Sequence, residues 1–178
     1  RNEYKGEWKD GSFHGQGILK EAWGGIYVGG FKNNLADGFG RQEEANGTWW
    51  EGDIKNDELH GKGIYVTHDG ATYEGYFFEG LLHGQGTFTK LDGTKATGEF
   101  KKDYLNGRGE WRYANGDVAV GNFKKDNLHG YGVYTWAIGD KYEGNWVDGI
   151  KSGKGKFTYE TGQIYEGNFS KDLKNGKG

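Results

Sequence analysis

Glycine recurs along this 178-residue chain in four columns spaced 23 residues apart, and no insertion or deletion breaks the interval. The columns hold 31 of the 36 glycines: one runs from Gly6 to Gly167, a pair from Gly15 and Gly17 to Gly176 and Gly178, and one from Gly24 to Gly162. A strict period of this length means one supersecondary unit copied about eight times, each copy touching its neighbours. Counting positions from 1 at Tyr4, repeats start at residues 4, 27, 50, 73, 96, 119, 142 and 165, and the array reads as a single domain over 1–178.

Inside each repeat the apolar residues alternate as they do in half-buried strands. Position 1 is Tyr4, Tyr27, Trp50, Tyr73, Ala96, Ala119, Tyr142 and Tyr165; position 5 is always apolar, from Trp8 to Phe169. A second strand follows the Gly-x-Gly pair, with Leu19, Gln42, Tyr65, Phe88, Trp111, Tyr134 and Phe157 at position 16. Asn46-Gly47, Asp69-Gly70, Asp92-Gly93 and Asn115-Gly116 then have the composition of type I′ hairpin turns. Position 8 (Gly11, Asn34, Asp57, Gly80, Asp103, Asp126, Gly149, Asp172) supplies a reversing loop at the other end. The expected fold is all-β: an elongated, twisted, single-layer antiparallel meander of repeated hairpins. It should advance about 10 Å per repeat, with one face concave.

Composition narrows the function classes. Aromatic residues make up 16% of the chain and all hydrophobic residues only 33%, so the core is thin and ring-rich. There are no cysteines, which excludes disulfides and thiolate metal sites. The net charge of −3 argues against nucleic acid as a partner. Residues 1–95 carry 10 Lys/Arg against 15 Asp/Glu, net −5, and residues 96–178 carry 13 against 11, net +2. The Arg-Asn-Glu-Tyr start and the stop at position 14 of a repeat lead us to expect an array cut from a longer protein.

Segments such as Tyr4-Lys-Gly-Glu-Trp8 through His14-Gly-Gln-Gly17, and Tyr73-Glu-Gly75 through His83-Gly-Gln-Gly86, resemble the MORN repeats over the whole chain. The departures are Ala96 and Ala119, where the leading ring is lost, and Asp37, Asn106, Ser152 and Asn175, where His is replaced; those repeats are expected to be less well filled. The resemblance implies a sheet with an aromatic groove that grips partner proteins, dimerises, or contacts acidic phospholipid. It also implies cytoplasmic settings near the cytoskeleton, the cilium or a membrane periphery. No catalytic chemistry or cofactor is implied, although such arrays also occur as regulatory arms of lipid kinases and a methyltransferase.

His14, His60, His83 and His129 share one column, but neighbouring copies should stand about 10 Å apart, too far to share a zinc ion held at about 2 Å. They are read as turn residues at the Gly-x-Gly bend. The Gly-x-Gly pairs lack the third glycine, the following Lys-Ser or Lys-Thr, and the helix that a phosphate cradle needs. The aromatic face is the candidate partner-binding surface, through Tyr65, Phe88, Trp111, Tyr113, Tyr134, Trp136, Phe157 and Tyr159, because position 18 turns aromatic in the fifth to seventh repeats. A helix or extended segment of another protein is its expected occupant, and edge strands offer a homodimer contact. The alternative is acidic phospholipid at Lys101, Lys102, Lys124 and Lys125, with Lys151, Lys154 and Lys156 extending a basic side.

Overall fold

The computed structural model describes residues 1–176, and among these it contains strands and turns but no helix. It divides into two compact halves, Arg1–Leu91 and Asp92–Gly178. The N-terminal half holds β1 (Glu3–Lys9), β2 (Ser12–Lys20), β3 (Ile26–Lys32), β4 (Leu35–Glu43), β5 (Trp49–Lys55), β6 (Glu58–Val66), β7 (Thr72–Phe78) and β8 (Leu81–Thr89). The C-terminal half holds β9 (Lys95–Lys101), β10 (Tyr104–Arg112), β11 (Val118–Lys124), β12 (Asn127–Thr135), β13 (Lys141–Val147), β14 (Ile150–Thr158), β15 (Ile164–Ser170) and β16 (Leu173–Asn175). Within each half every strand pairs antiparallel with the next in sequence, giving an open hairpin meander.

The two kinds of turn are the reverse of the assignment made from sequence. Type I′ geometry, with positive φ at both central residues, lies at positions 7 and 8: Asn33 and Asn34 at 52° and 72°, Lys102 and Asp103 at 52° and 67°, Lys125 and Asp126 at 46° and 67°. At Asn46-Gly47 only the glycine is left-handed, with φ 89°. There Gly47 N–H donates to Glu44 O at 2.9 Å and Asn46 Oδ1 accepts from Thr48 N–H at 2.8 Å. That is a type I turn closed by a glycine bulge, with Asn capping its own backbone.

Side chains at positions 8 and 22 clip consecutive hairpins together at opposite edges. Asn34, Asp57, Asp126 and Asp172 accept the backbone N–H of Phe13, Ala36, Leu105 and Lys151 through Oδ1, at 2.8, 2.6, 2.8 and 2.9 Å. Thr94 Oγ1, Asp117 Oδ1 and Asp140 Oδ1 likewise accept the N–H of Ala114, Ala137 and Glu160, at 3.2, 2.8 and 2.8 Å. Each bond of this kind contributes about 1 kcal/mol, rather more where the acceptor is charged.

The core lies on the face of positions 1, 5, 10 and 16. Positions 3 and 14 pair glycine to glycine, as in Gly144↔Gly155, and a β-bulge then brings position 10 opposite position 5, as in Phe123↔Leu128. The glycine pair is covered in one of two ways. In the first, second and seventh repeats a tyrosine ring lies on it: a Cβ at Gly17, Gly40 or Gly155 would fall 2.6, 2.2 or 2.3 Å from Tyr4, Tyr27 or Tyr142. In the third to sixth repeats the position-10 leucine does this, with Cβ contacts of 2.9, 3.0, 2.8 and 2.8 Å from Gly63, Gly86, Gly109 and Gly132 to Leu59, Leu82, Leu105 and Leu128. The repeats that lack the leading ring are therefore not underfilled. Ala96 and Leu105 are both 0% exposed, and Ala119 and Leu128 are 1% and 5% exposed.

Candidate protein-interaction face

The tyrosines that cover glycine fix the local frame of the seventh repeat. Tyr142 is fully buried, donates its hydroxyl to Asn145 O at 3.2 Å, and meets Trp146 and Phe169 edge-on at 5.0 and 4.8 Å. With the ring in that place, position 10 is released from core duty, and Lys151 occupies it where four other repeats carry leucine.

Beside this frame, β10, β12 and β14 carry their position-16 rings, and the turns that follow them hold the position-18 rings. Tyr113 shows how rigid those turns are: its N–H donates to Asp117 O and its carbonyl accepts from Gly116 N–H, both at 2.9 Å. Six rings then run in unbroken contact. Trp111 stacks with Tyr113 at 5.8 Å, Tyr113 meets Tyr134 at 6.2 Å, Tyr134 meets Trp136 at 4.6 Å, Trp136 meets Phe157 at 5.5 Å, and Phe157 meets Tyr159 at 4.7 Å. Tyr113, Tyr134, Trp136, Trp146 and Lys151 line a cleft of about 280 Å³ in this face, together with Asp126 and Asp172.

Asp117 anchors the middle of the row. Burial pushes its carboxyl up, but bonds from Tyr134 Oη at 2.7 Å, Ala137 N–H and Asn115 Nδ2 outweigh this and hold it below the ordinary value. Burial, followed by the bond to Asp117, raises the Tyr134 phenol far above 10. Burial raises Asp126.

Six of the eight residues expected from sequence thus come together. Trp111, at 9% exposure, belongs to the core beneath the row; Tyr113, Tyr134, Trp136, Phe157 and Tyr159 remain accessible. Tyr65 and Phe88 lie in the N-terminal half, where both touch Tyr73, at 6.1 and 4.6 Å. The corresponding position-18 residues there, Glu21, Glu44, Thr67 and Lys90, add no ring.

Lys101, Lys102, Lys124 and Lys125 are exposed at the type I′ edge. Lys124 already contacts Asp148 at 3.6 Å, and Asp148 also meets His129 Nδ1 at 3.1 Å. The basic side expected from Lys151, Lys154 and Lys156 does not form. Lys156 stands opposite Glu143 and Glu166 on the outer face with Lys154, whereas Lys151 turns inward among the rings. Nor are the histidines turn residues: His14, His60, His83 and His129 lie inside β2, β6, β8 and β12, and His60 packs on Phe78 at 5.0 Å.

Sequence reasoning missed that the two lysines at position 10 stand among the rings. Lys151 Nζ stands 5.2, 5.5 and 5.7 Å from the ring centres of Trp136, Phe157 and Tyr142. Lys174 Nζ stands 4.8 Å from both Tyr159 and Tyr165, and donates to Tyr159 Oη at 2.6 Å. The signal was present as a polar break in an otherwise apolar column: Phe13, Ala36, Leu59, Leu82, Leu105, Leu128.

Burial also raises the phenols of Tyr27 and Tyr142 to about 12, with smaller contributions from Asp57 and Asp37 at Tyr27 and from Asp172 and Tyr131 at Tyr142. In the unfolded chain these groups ionise near 10, so the stability they hold is complete below pH 10 and is lost as pH rises towards 12. Tyrosinate absorbance followed against pH should show both phenols ionising together with loss of sheet signal; titration near 10 in folded protein would contradict their burial.

A sequence comparison with curated proteins finds no match. Among solved structures the chain resembles the TCP domain of SAS-4 from Drosophila melanogaster in complex with a proline-rich motif of Ana2, at 13% identity and a TM-score of 0.52, covering 88% of this chain and 85% of that one. It also resembles the TCP10c domain of Drosophila melanogaster Sas-4, at 12% identity and a TM-score of 0.48, covering 88% and 93%. At such identities the likeness is one of fold. The MORN repeat pattern matches residues 4–25, 27–49, 50–72, 73–95, 97–118, 120–141, 142–164 and 165–178, and the chain belongs to the MORN repeat family.

Proposed function

We propose that the chain is a non-catalytic protein-interaction module whose ring-lined face in the C-terminal half captures an extended segment of a partner protein, in a cytoskeletal or ciliary assembly. The observation that carries this reading is the row of five accessible rings, backed by buried Trp111, beside an open cleft and held on hydrogen-bonded turns. Rings in a fixed, partly exposed row suit ligands that arrive already ordered, and proline-rich segments in polyproline II are such ligands. The SAS-4 domain of similar fold was solved with a proline-rich motif, which supports an occupant of this class.

The test is an array of twelve-residue polyproline II peptides in which every third residue is varied, probed with the intact chain. Trp136→Ala should weaken the best binder by 30-fold or more, the effect of losing a central tryptophan anchor of about 2 kcal/mol. An array on which no peptide is retained, or equal affinity for Trp136→Ala, would overturn the assignment.

A further inference from the structure

We infer that Lys151 and Lys174 read carboxylates carried three residues apart on the captured segment; this rests on the proposed function above and specifies its ligand. Both lysines depart from a column that is apolar in the first six repeats. Among the described residues neither ammonium forms an ion pair, and both have ring faces as their surroundings.

The carboxylates of the ring row and the cleft already have structural work. Asp117 holds three donors, and Asp126 and Asp172 clip the amides of Leu105 and Lys151, as Asn34 and Asp57 do for repeats of the N-terminal half. The two lysines are the charges in the row that the repeat does not account for. Lys151 is half-buried, so an incoming carboxylate gains more from its ammonium than from a surface lysine, and Lys174, although exposed, is held in place by the two rings it touches.

Spacing selects the ligand backbone. Lys151 and Lys174 are one repeat apart, two strand spacings or about 9.6 Å. Three residues of polyproline II rise about 9.3 Å and complete one turn, so residues i and i+3 face the same side in step with the repeats. An extended β segment covers the same distance in about three residues, which turns alternate anchors to the opposite face. An α-helix needs two turns, about 10.8 Å, and runs out of step. The ligand is therefore a polyproline II segment with Asp or Glu at i and i+3 over the lysines and proline against Tyr134 and Trp136.

The probes are capped peptides (Glu-Pro-Pro)4, (Gln-Pro-Pro)4, (Lys-Pro-Pro)4 and (Glu-Pro-Pro-Pro)3, titrated calorimetrically into the intact chain at low and high salt. The glutamate peptide should bind at least tenfold more tightly than the glutamine peptide, with an advantage that shrinks in salt, and the four-residue spacing should lose it. Lys151→Met and Lys174→Met, which keep the stem, should each reduce the ratio of glutamate-peptide to glutamine-peptide affinity, and Lys151→Arg should retain it. Equal binding of the glutamate and glutamine peptides, a preference for the lysine peptide, or an advantage that survives both methionine changes overturns this inference and leaves the interaction module standing. Failure of every peptide to bind overturns both.

Discussion

Gly144→Ala is expected to destabilise the C-terminal half by about 4 kcal/mol and to open the β13–β14 hairpin first, whereas Gly162→Ala, in the same repeat, should cost only about 1 kcal/mol. The two glycines differ in what a methyl group would meet. At Gly144 a Cβ would fall 2.6 Å from Gly155 Cα on the partner strand, and 2.6 Å from the Tyr142 hydroxyl. The first contact is backbone, so no side-chain rotation relieves it and the strands must separate. The second expels a ring that is 0% exposed, and loss of a buried aromatic alone costs about 3–5 kcal/mol. At Gly162, φ is 84° and nothing lies within 4 Å, so the penalty is that of a left-handed residue with a side chain. Against a total stability of about 5–15 kcal/mol the first change is severe and the second tolerable. Urea denaturation of both variants gives the comparison, and hydrogen exchange would localise the loss to β13 and β14. Equal effects would mean that the glycine pair is not the closest contact in the hairpin.

The repeat and its strands were legible because both depend on spacing alone. Positions 1 and 5 announce a pleat by alternation, and the all-β antiparallel fold follows without reference to any single residue. What was misread was chemistry that two geometries share. Asn-Gly supplies a left-handed glycine preceded by a residue that caps its own backbone, and this serves a type I turn with a bulge as well as it serves type I′. The true type I′ turns were obscured because their residues vary: Asp10-Gly11 and Asp148-Gly149 carry the favoured dipeptide, whereas Lys102-Asp103 and Lys125-Asp126 lack glycine and accept positive φ on a lysine.

The candidate site was legible in its rings and not in its charges. Position 18 becomes aromatic in consecutive repeats, which a column reading detects at once. Grouping Lys151 with Lys154 and Lys156 ignored the alternation that places Lys156 beside Glu143 and Glu166 on the outer face. The leucine column at position 10 was overlooked because it sits next to a turn, and its pairing with position 5 needs a bulge that no spacing rule reveals. With that column missing, the two lysines could not register as exceptions to it.

A double-mutant cycle on Ala96 and Leu105 tests whether tyrosine at position 1 and leucine at position 10 are interchangeable covers for one glycine pair. Leu105→Ala removes a fully buried leucine lying 2.8 Å from the Cβ site of Gly109, and should cost about 3–5 kcal/mol as a cavity opens over the Gly98–Gly109 pair. Ala96→Tyr alone inserts a ring at a position with 0% exposure while Leu105 still fills the space, and should cost about 1–3 kcal/mol through overpacking. Together the changes recreate the arrangement of the second repeat, where Tyr27 covers Gly40 and position 10 is Ala36. The double variant should therefore be more stable than the sum of the single effects predicts, by about 1–2 kcal/mol. Rescue should stop short of completion because Gly98 sits at φ 147°, outside the conformation of Gly29 and Gly144, and must relax before the ring can lie flat. Additive losses would show that the two covers depend on backbone differences between repeats. Coupling would show instead that a tyrosine laid over the glycine pair lets position 10 give up its leucine, as it does where Lys151 stands beside the ring row.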